Sequence, residues 1–329
     1  MASFFSRIVN SGWYRVANAY FVIRFWRPVW LYIVNRKGRA VHGKINRPLD
    51  VIQRRIVDDL RREGIAMVHI DELFPGRPIF QELFAYMNDL YPHADTKTPK
   101  TFLRNLWDAV PLMDFKNPFF RFAIDEKITD CIHAYMGVAT KFYYFTLNVT
   151  MPISEGSDAV YSQRWHRDPE DRKLCKVFLY LNDVDEGTGP FMYVRSSQEG
   201  GKWRHWYPQV GLRGGAIPSD ADVQKYIPRA DIIIGTARAG TLIFCDTSGL
   251  HRGGYATKNE RIMFTAGYCT CANSWPTRFR RVDGFEHDLK NFVNRPEVAY
   301  GFTPWRSWHT AYLFKKIKRN PDRRMAMES

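Results

Sequence analysis

The sequence predicts a mainly β core with helices packed around it, and three observations carry that prediction. The stretch Lys141–Thr150, K-F-Y-Y-F-T-L-N-V-T, alternates aromatic and β-branched residues as a half-buried strand does. Short apolar runs follow at Tyr161–Trp165, Lys176–Leu181, Phe191–Val194, Gly240–Cys245 and Arg261–Cys271. Clusters of Gly, Pro, Asp or Asn separate them, the pattern of an antiparallel sandwich or barrel. Before residue 135 the period is helical instead.

In chain order, residues 4–34 are apolar and aromatic but interrupted by Arg7, Arg15, Arg24 and Arg27. The run falls short of the roughly 20 uninterrupted apolar residues of a membrane span, and it lacks a signal-peptide cleavage pattern. Trp13, Trp26 and Trp30, interleaved with arginines, suit a helix lying in a bilayer interface. The same stretch suits a helix packed on the body, or on a second copy of the chain in a homo-oligomer. Pro28 should break or kink it. A polar linker, 35–48, leads to an amphipathic helix at 49–64 with Val51, Ile52, Ile56 and Leu60 as its stripe and Gly64 as its C-cap. A strand at Ile65–Ile70 and helices at 78–90 and 117–136 follow. The last of these should bury Phe119, Phe122, Ile128, Ile132 and Tyr135. The division expected is a basic N-terminal segment (1–48), one catalytic domain (49–314, its β core about 140–272) and a basic tail (315–329).

Charge is distributed unevenly. The net charge is +14, yet residues 50–314 hold 33 basic and 32 acidic residues. Residues 1–49 carry nine Lys or Arg and no acid, and 315–329 carry six basic residues against Asp322 and Glu328. Basic ends on a neutral body point to an anionic surface, lipid or nucleic acid. No nucleic-acid motif is present, so nucleic acid ranks last. The five cysteines, Cys131, Cys175, Cys245, Cys269 and Cys271, form no regular framework and read as free thiols of a reducing compartment. The expectation is a cytoplasmic protein, peripheral at a membrane.

The chemistry centres on Tyr161–Lys173, Y-S-Q-R-W-H-R-D-P-E-D-R-K. His166 and Asp168 are two apart, so on extended backbone both point to one face. An imidazole and a carboxylate there supply two ligands of a 2-His-1-carboxylate triad, the site of non-haem Fe(II). His251 is the best third ligand. H-R-D also opens the kinase catalytic loop, but Lys173 stands where that loop needs Asn, and no D-F-G or glycine-rich loop accompanies it.

Four pieces, Q-R-W-H-R-D (163–168), L-N-D-V-D-E-G-T-G-P-F-M-Y-V-R-S-S-Q (181–198), G-T-L-I-F-C-D (240–246) and H-R-G-G-Y-A-T-K-N-E-R (251–261), together resemble the phytanoyl-CoA dioxygenase family of Fe(II)- and 2-oxoglutarate-dependent oxygenases. They cover about residues 140–270. The resemblance implies a double-stranded β-helix (jelly roll), and His166, Asp168 and His251 as iron ligands. It implies Arg261 as the grip on the distal carboxylate of 2-oxoglutarate, whose geometry a guanidinium fork matches. Gln163 matches a polar residue that reaches the co-substrate, and Tyr144, Thr146 and Asn148 share a face that would line the pocket. Whether that face or the face of Tyr143, Phe145 and Leu147 is the core stays open. Gly253 departs from the family's Ser or Thr, and Arg195–Gln198 replaces its P-G-S-H turn. Retention of Asp168 argues against the halogenating relatives.

The implied activity consumes 2-oxoglutarate and O2, releases succinate and CO2, and hydroxylates a C–H bond. The aromatic, basic insertion Gly200–Arg238, with Trp203, His205, Trp206, Tyr207 and Arg213, would wall a small, lipid-like or lipid-linked substrate. The competing readings are a non-catalytic jelly-roll binding module and an oxygenase acting on nucleic acid or protein.

Overall fold

Residue 19 and residues 22–94, 102–108, 110–154, 158–207, 209, 217–273 and 277–305 are described in this computed structural model. Trp13, Arg213, Trp308 and the basic tail lie outside them.

Two β-sheets face each other. The larger has six strands: β1 (Ile65–His69), β2 (Leu103–Asn105), β4 (Lys141–Thr150), β5 (Cys175–Tyr180), β8 (Thr241–Asp246) and β10 (Arg261–Cys269), in the order β1-β8-β5-β10-β4-β2. All its neighbours are antiparallel. The smaller sheet is β7 (Ile232–Ile234), β6 (Met192–Val194) and β9 (His251–Arg252). A two-residue pair, β3 (Leu112–Met113) with β11 (Arg280–Arg281), stands apart. The fold is a jelly roll flanked by helices, in one domain.

Strand period decides which side chains look where. Along β5, Cys175, Val177 and Leu179 join the core under the helices, while Phe178 and Tyr180 pack with Phe191 and Tyr193 between the sheets. Register carries this alternation across the large sheet. Tyr144 aligns with Gly267 and Lys176, Thr146 with Thr265 and Phe178, Asn148 with Met263 and Tyr180, and Thr150 with Arg261. Of the face left open by the sequence, Phe145 and Leu147, with Val149, face the helices, whereas Tyr143 packs instead with Leu174 and Cys269 beside the register shift at Gly267/Tyr268; Tyr144, Thr146 and Asn148 face the interior of the roll. A Cβ on Gly267 would lie 2.6 Å from Tyr144 Cε1, so this glycine makes room for the tyrosine ring.

The helices cover the outer face. α1 (Arg36–His42) precedes α2 (Val51–Glu63). The start of α2 is fixed by a capping box: the Asp50 side chain accepts from Gln53 N at 2.8 Å, and Gln53 Oε1 accepts from Asp50 N at 3.0 Å. Gly64, at φ +80°, ends it. α3 (Ile70–Leu73) and α4 (Ile79–Leu90) follow β1. The helix expected over 117–136 is two, α5 (Pro118–Ala123) and α6 (Glu126–Met136). Two N-caps divide it: Asn117 accepts from Phe119 N and Phe120 N, and Asp125 accepts from Lys127 N. All five side chains expected to be buried there are buried.

Two further expectations are corrected. Tyr161–Gln163 is a 3-10 turn, not a strand, and Tyr161 sits at φ +50°; extended backbone resumes only at Arg164. The stretch after Gly200 is not all insertion: it contains α7 (Asp220–Tyr226), and then Ile232–Ile234 joins the smaller sheet.

The N-terminal segment lies against the body through one side. Trp30, Arg24 and Asn35 are buried. Trp30 Nε1 donates to Asp171 Oδ1 at 2.8 Å, Arg24 donates to Ala272 O at 2.5 Å, and Asn35 bridges Thr270 and Cys271. After Pro28 the backbone runs as a π-helical turn, Val29–Val34. The C-terminal helices α8 (Phe285–Leu289) and α9 (Pro296–Phe302) close the aromatic core beneath β4.

Phe264 is the centre of that core, in ring contact with Trp107, Phe119, Phe122 and Phe145. Truncating it leaves a cavity such packing cannot close, so Phe264→Ala should destabilise the fold by about 3–5 kcal/mol in denaturant titration.

Candidate metal centre

His166 and His251 are neighbours through the backbone. His166 N donates to His251 O and His251 N donates to His166 O, both at 2.9 Å. Asp168 N donates to Thr247 O at 2.9 Å, which holds the segment extended against the β8–β9 turn. Side chains two apart then share a face, and the facing histidine joins them. His166 Nε2 lies 3.8 Å from Asp168 Oδ1, and His251 Nε2 lies 3.7 Å from Asp168 Oδ2. One donor atom from each of the three lies within 4.8 Å of the others. Among the described residues no other group of three His, Cys, Asp or Glu meets this condition.

The donor set fits a metal. His166 Nδ1 lies 2.7 Å from Arg164 O, and His251 Nδ1 lies 2.9 Å from Gly249 O. A carbonyl can only accept, so each Nδ1 carries the proton and each Nε2 offers its lone pair to the shared space. Burial, then the neighbouring His166, pushes the His251 imidazole down to about 3. It is therefore neutral and able to ligate at ordinary pH. Burial works against ionisation of Asp168, but the Lys176 ammonium, with the two histidines, outweighs it and holds the carboxyl well below the usual range. Lys176 Nζ stands 2.6 Å from Asp168 Oδ2.

Arg261 presents a second feature. It is buried, and among the described residues it has no carboxylate partner. Nη1 donates to Gly189 O and Nη2 to Thr150 Oγ1 at 3.2 Å, with the Tyr180 hydroxyl beside it. Arg261 Nε has no hydrogen-bond partner. A buried guanidinium without a counter-ion is costly unless an anion completes it. Gln163 Nε2 and Asn148 Oδ1 are among the other buried polar atoms without a hydrogen-bond partner. Asn148 is on the same face of β4 as Thr150, and Gly253 N donates to Ser162 O in the turn that carries Gln163. A Cβ at Gly253 would lie 3.8 Å from Arg261 Nη2, so the departure at Gly253 falls beside this cation. Asn148 and Thr146 thus share the inner face of β4 with Thr150, opposite Arg261, and Gln163 is buried in the 3-10 turn, its Oε1 accepting from Val160 N at 3.1 Å.

Arg167 points away from the triad, as alternation demands. Its guanidinium donates only to main-chain carbonyls: Tyr207 O at 2.7 Å, Ser248 O at 2.9 Å, Trp203 O at 3.0 Å, Trp206 O at 3.1 Å and Ser197 O. Trp165 packs with Val194, Val223, Ile227 and Leu250, with Trp203 and Trp206 at the margin. Gln209 adds donors to Asp168 O and Asp171 O. The insertion is therefore fastened to the ligand-bearing segment itself.

Sequence reasoning missed Lys176. The signal was available: a single charge at an inward position of the otherwise apolar strand C-K-V-F-L-Y. Glu170 was missed too. Burial, and then the Asp168 carboxylate, push it up to about 7.

No known protein family matches the chain, and no curated protein does. Solved structures do. The epimerase SnoN, in complex with Fe3+, alpha ketoglutarate and nogalamycin RO, aligns with a TM-score of 0.51 at 16% identity, covering 69% of this chain and 87% of that one. The likeness is one of fold. HygX from Streptomyces hygroscopicus with nickel and 2-oxoglutarate bound aligns at 0.45 and 17% identity, over 72% and 92% of the two chains. EctD from S. alaskensis with bound Fe aligns at 0.45 and 15%, over 73% and 84%.

Two outcomes follow for the centre. Co(II) at about a hundredfold above its dissociation constant should stabilise the protein by about 2.7 kcal/mol, and His251→Ala should lose this gain in thermal unfolding. Arg167→Lys forfeits the planar fork, so limited trypsin digestion at Lys202 and Arg204 should quicken while Co(II) binding persists.

Proposed function

We propose that the chain is an Fe(II)- and 2-oxoglutarate-dependent dioxygenase that hydroxylates a C–H bond of a small or lipid-like substrate. The observation that carries this is the triad His166–Asp168–His251, with both imidazole Nδ1 atoms held by main-chain carbonyls and one donor atom from each residue within 4.8 Å of the others. When bound, iron and 2-oxoglutarate supply, with O2, an oxidant able to attack an unactivated C–H bond, leaving succinate and CO2. Arg261 grips the distal carboxylate, its unpartnered Nε and buried position favouring an anion there. Gln163 and Asn148 offer the remaining polar contacts, and Thr146 lines the wall between them. Phe191, whose ring centroid lies 5.7 Å from that of His251, limits water at the ligands. The order of motifs from Gln163 to Arg261 supports the phytanoyl-CoA dioxygenase branch of these enzymes.

An anionic or amphipathic substrate suits the lining. Lys176 puts a cation beside the triad, and the Arg278 guanidinium lies 5.9 Å from the Tyr143 ring and 6.0 Å from the Tyr144 ring.

The test is anaerobic titration with Fe(II) and 2-oxoglutarate, watching for the visible charge-transfer band, followed by succinate formation on admitting air. Wild type should show both. A His166→Ala protein with an unchanged band would refute the ligand assignment, and a band without succinate would favour the binding-module reading. Arg261→Lys should weaken 2-oxoglutarate by about tenfold to a hundredfold, the loss of charged hydrogen bonds worth about 1.5–3 kcal/mol.

A further inference from the structure

The outer side of the N-terminal segment is unlike the rest of the surface. Among the described residues, twelve large hydrophobic side chains are exposed, and five of them fall between positions 22 and 33. These are Val22, Ile23, Trp26, Tyr32 and Ile33, each more than half exposed. Val22, Ile23 and Trp26 are exposed before Pro28, and Tyr32 and Ile33 are exposed on the π-helical turn after it, while Arg24 and Trp30 are buried and grip the body. The segment is therefore two-sided: one side is satisfied by the protein and the other presents apolar bulk outward.

Its charge says what kind of partner that side accepts. Arg27, Arg36, Lys37, Arg39 and Lys44 are all exposed, and among the described residues none pairs with a carboxylate. No acid occurs anywhere in residues 1–49. Arg39 instead stacks on Tyr32, with its guanidinium carbon 4.5 Å from the ring centroid. A second copy would bring a like-charged face against this one, and repulsion disfavours that pairing. Nucleic acid would accept the cations but has no use for Val22, Ile23 and Ile33. Aliphatic and Trp side chains flanked by unpaired Arg and Lys match an anionic bilayer surface, where headgroups meet the cations and acyl chains meet the apolar side chains. Among the described residues no helix is long and apolar enough to cross a membrane.

We propose that the outward face of residues 22–39 docks the protein flat on an anionic lipid bilayer. The consequence is local as well as global. Trp30 Nε1 donates to Asp171 Oδ1, three residues beyond Asp168, and Arg172 donates to Phe25 O. The docking segment is thus bonded to the same loop that carries a triad carboxylate, and a docked protein would hold that loop close to the lipid surface. The proposal does not depend on the chemistry proposed for the triad.

Flotation of the full chain with phosphatidylcholine vesicles, with and without phosphatidylglycerol, tests it. The bound fraction should be about tenfold higher on the anionic vesicles and fall as salt rises. Trp26→Ser combined with Ile33→Ser should remove most of this binding without changing the melting temperature, because both side chains are 65% exposed. Arg36→Glu combined with Lys37→Glu should erase the preference for anionic lipid. Equal binding to both vesicle types, or unchanged binding by either variant, would overturn the proposal. So would a dimer in analytical ultracentrifugation that Trp26→Ser with Ile33→Ser dissolves, or binding of duplex DNA that displaces the protein from the vesicles.

Discussion

Two reciprocal backbone hydrogen bonds, between His166 and His251, are the constraint on which the rest of the molecule depends. They join residues on distant parts of the chain and fix the distance between two imidazoles without using either ring. Everything else at the centre adjusts orientation. Carbonyls of Arg164 and Gly249 choose the tautomers, Thr247 holds the Asp168 backbone, and Lys176 keeps the carboxylate charged inside the protein. Side-chain geometry that is borrowed from main-chain pairing costs little conformational freedom, because the strands are ordered for other reasons.

The jelly roll supplies two environments from one sheet. The helix-facing side of β4, β5 and β10 is aromatic and aliphatic and anchors the helices. The inner side carries Tyr144, Thr146, Asn148, Lys176 and Arg261, polar groups that a dry core would not tolerate unpaired. Strand alternation alone separates the two, so a one-residue slip would exchange core for cavity. Gly267 shows how closely the inner side is fitted, since the Tyr144 ring occupies the space its side chain would take.

Much of this was legible in the sequence. Alternation in Lys141–Thr150 and the apolar run Arg261–Cys271 pointed to the central strands, the second of which ends at Cys269, and H-x-D with a distant histidine gave the residues that converge. The turn at Tyr161–Gln163 was not legible, because Tyr161 is a strand-favouring residue that here adopts a left-handed backbone conformation no local signal demands. The break at Ile124–Asp125 could have been read from Asn117-Pro118 and Asp125, two capping signals inside one apolar period. Which face of β4 is inner could not be read, since both faces mix aromatic residues and only pairing with β5 and β10 distinguishes them. The N-terminal segment buries Arg24, Trp30 and Asn35 against the body and leaves Val22, Ile23, Trp26, Tyr32 and Ile33 exposed, a division that composition alone cannot reveal.

Arg167 sits between the two residues of the H-x-D pair, and it grips the insertion through the carbonyl oxygens of Trp203, Trp206 and Tyr207. Every amino acid has a carbonyl. Side chains of the insertion that lie outside the Trp165 cluster can therefore be exchanged while its backbone stays tethered to the ligand-bearing segment, so sequence can drift there without loosening the triad's support.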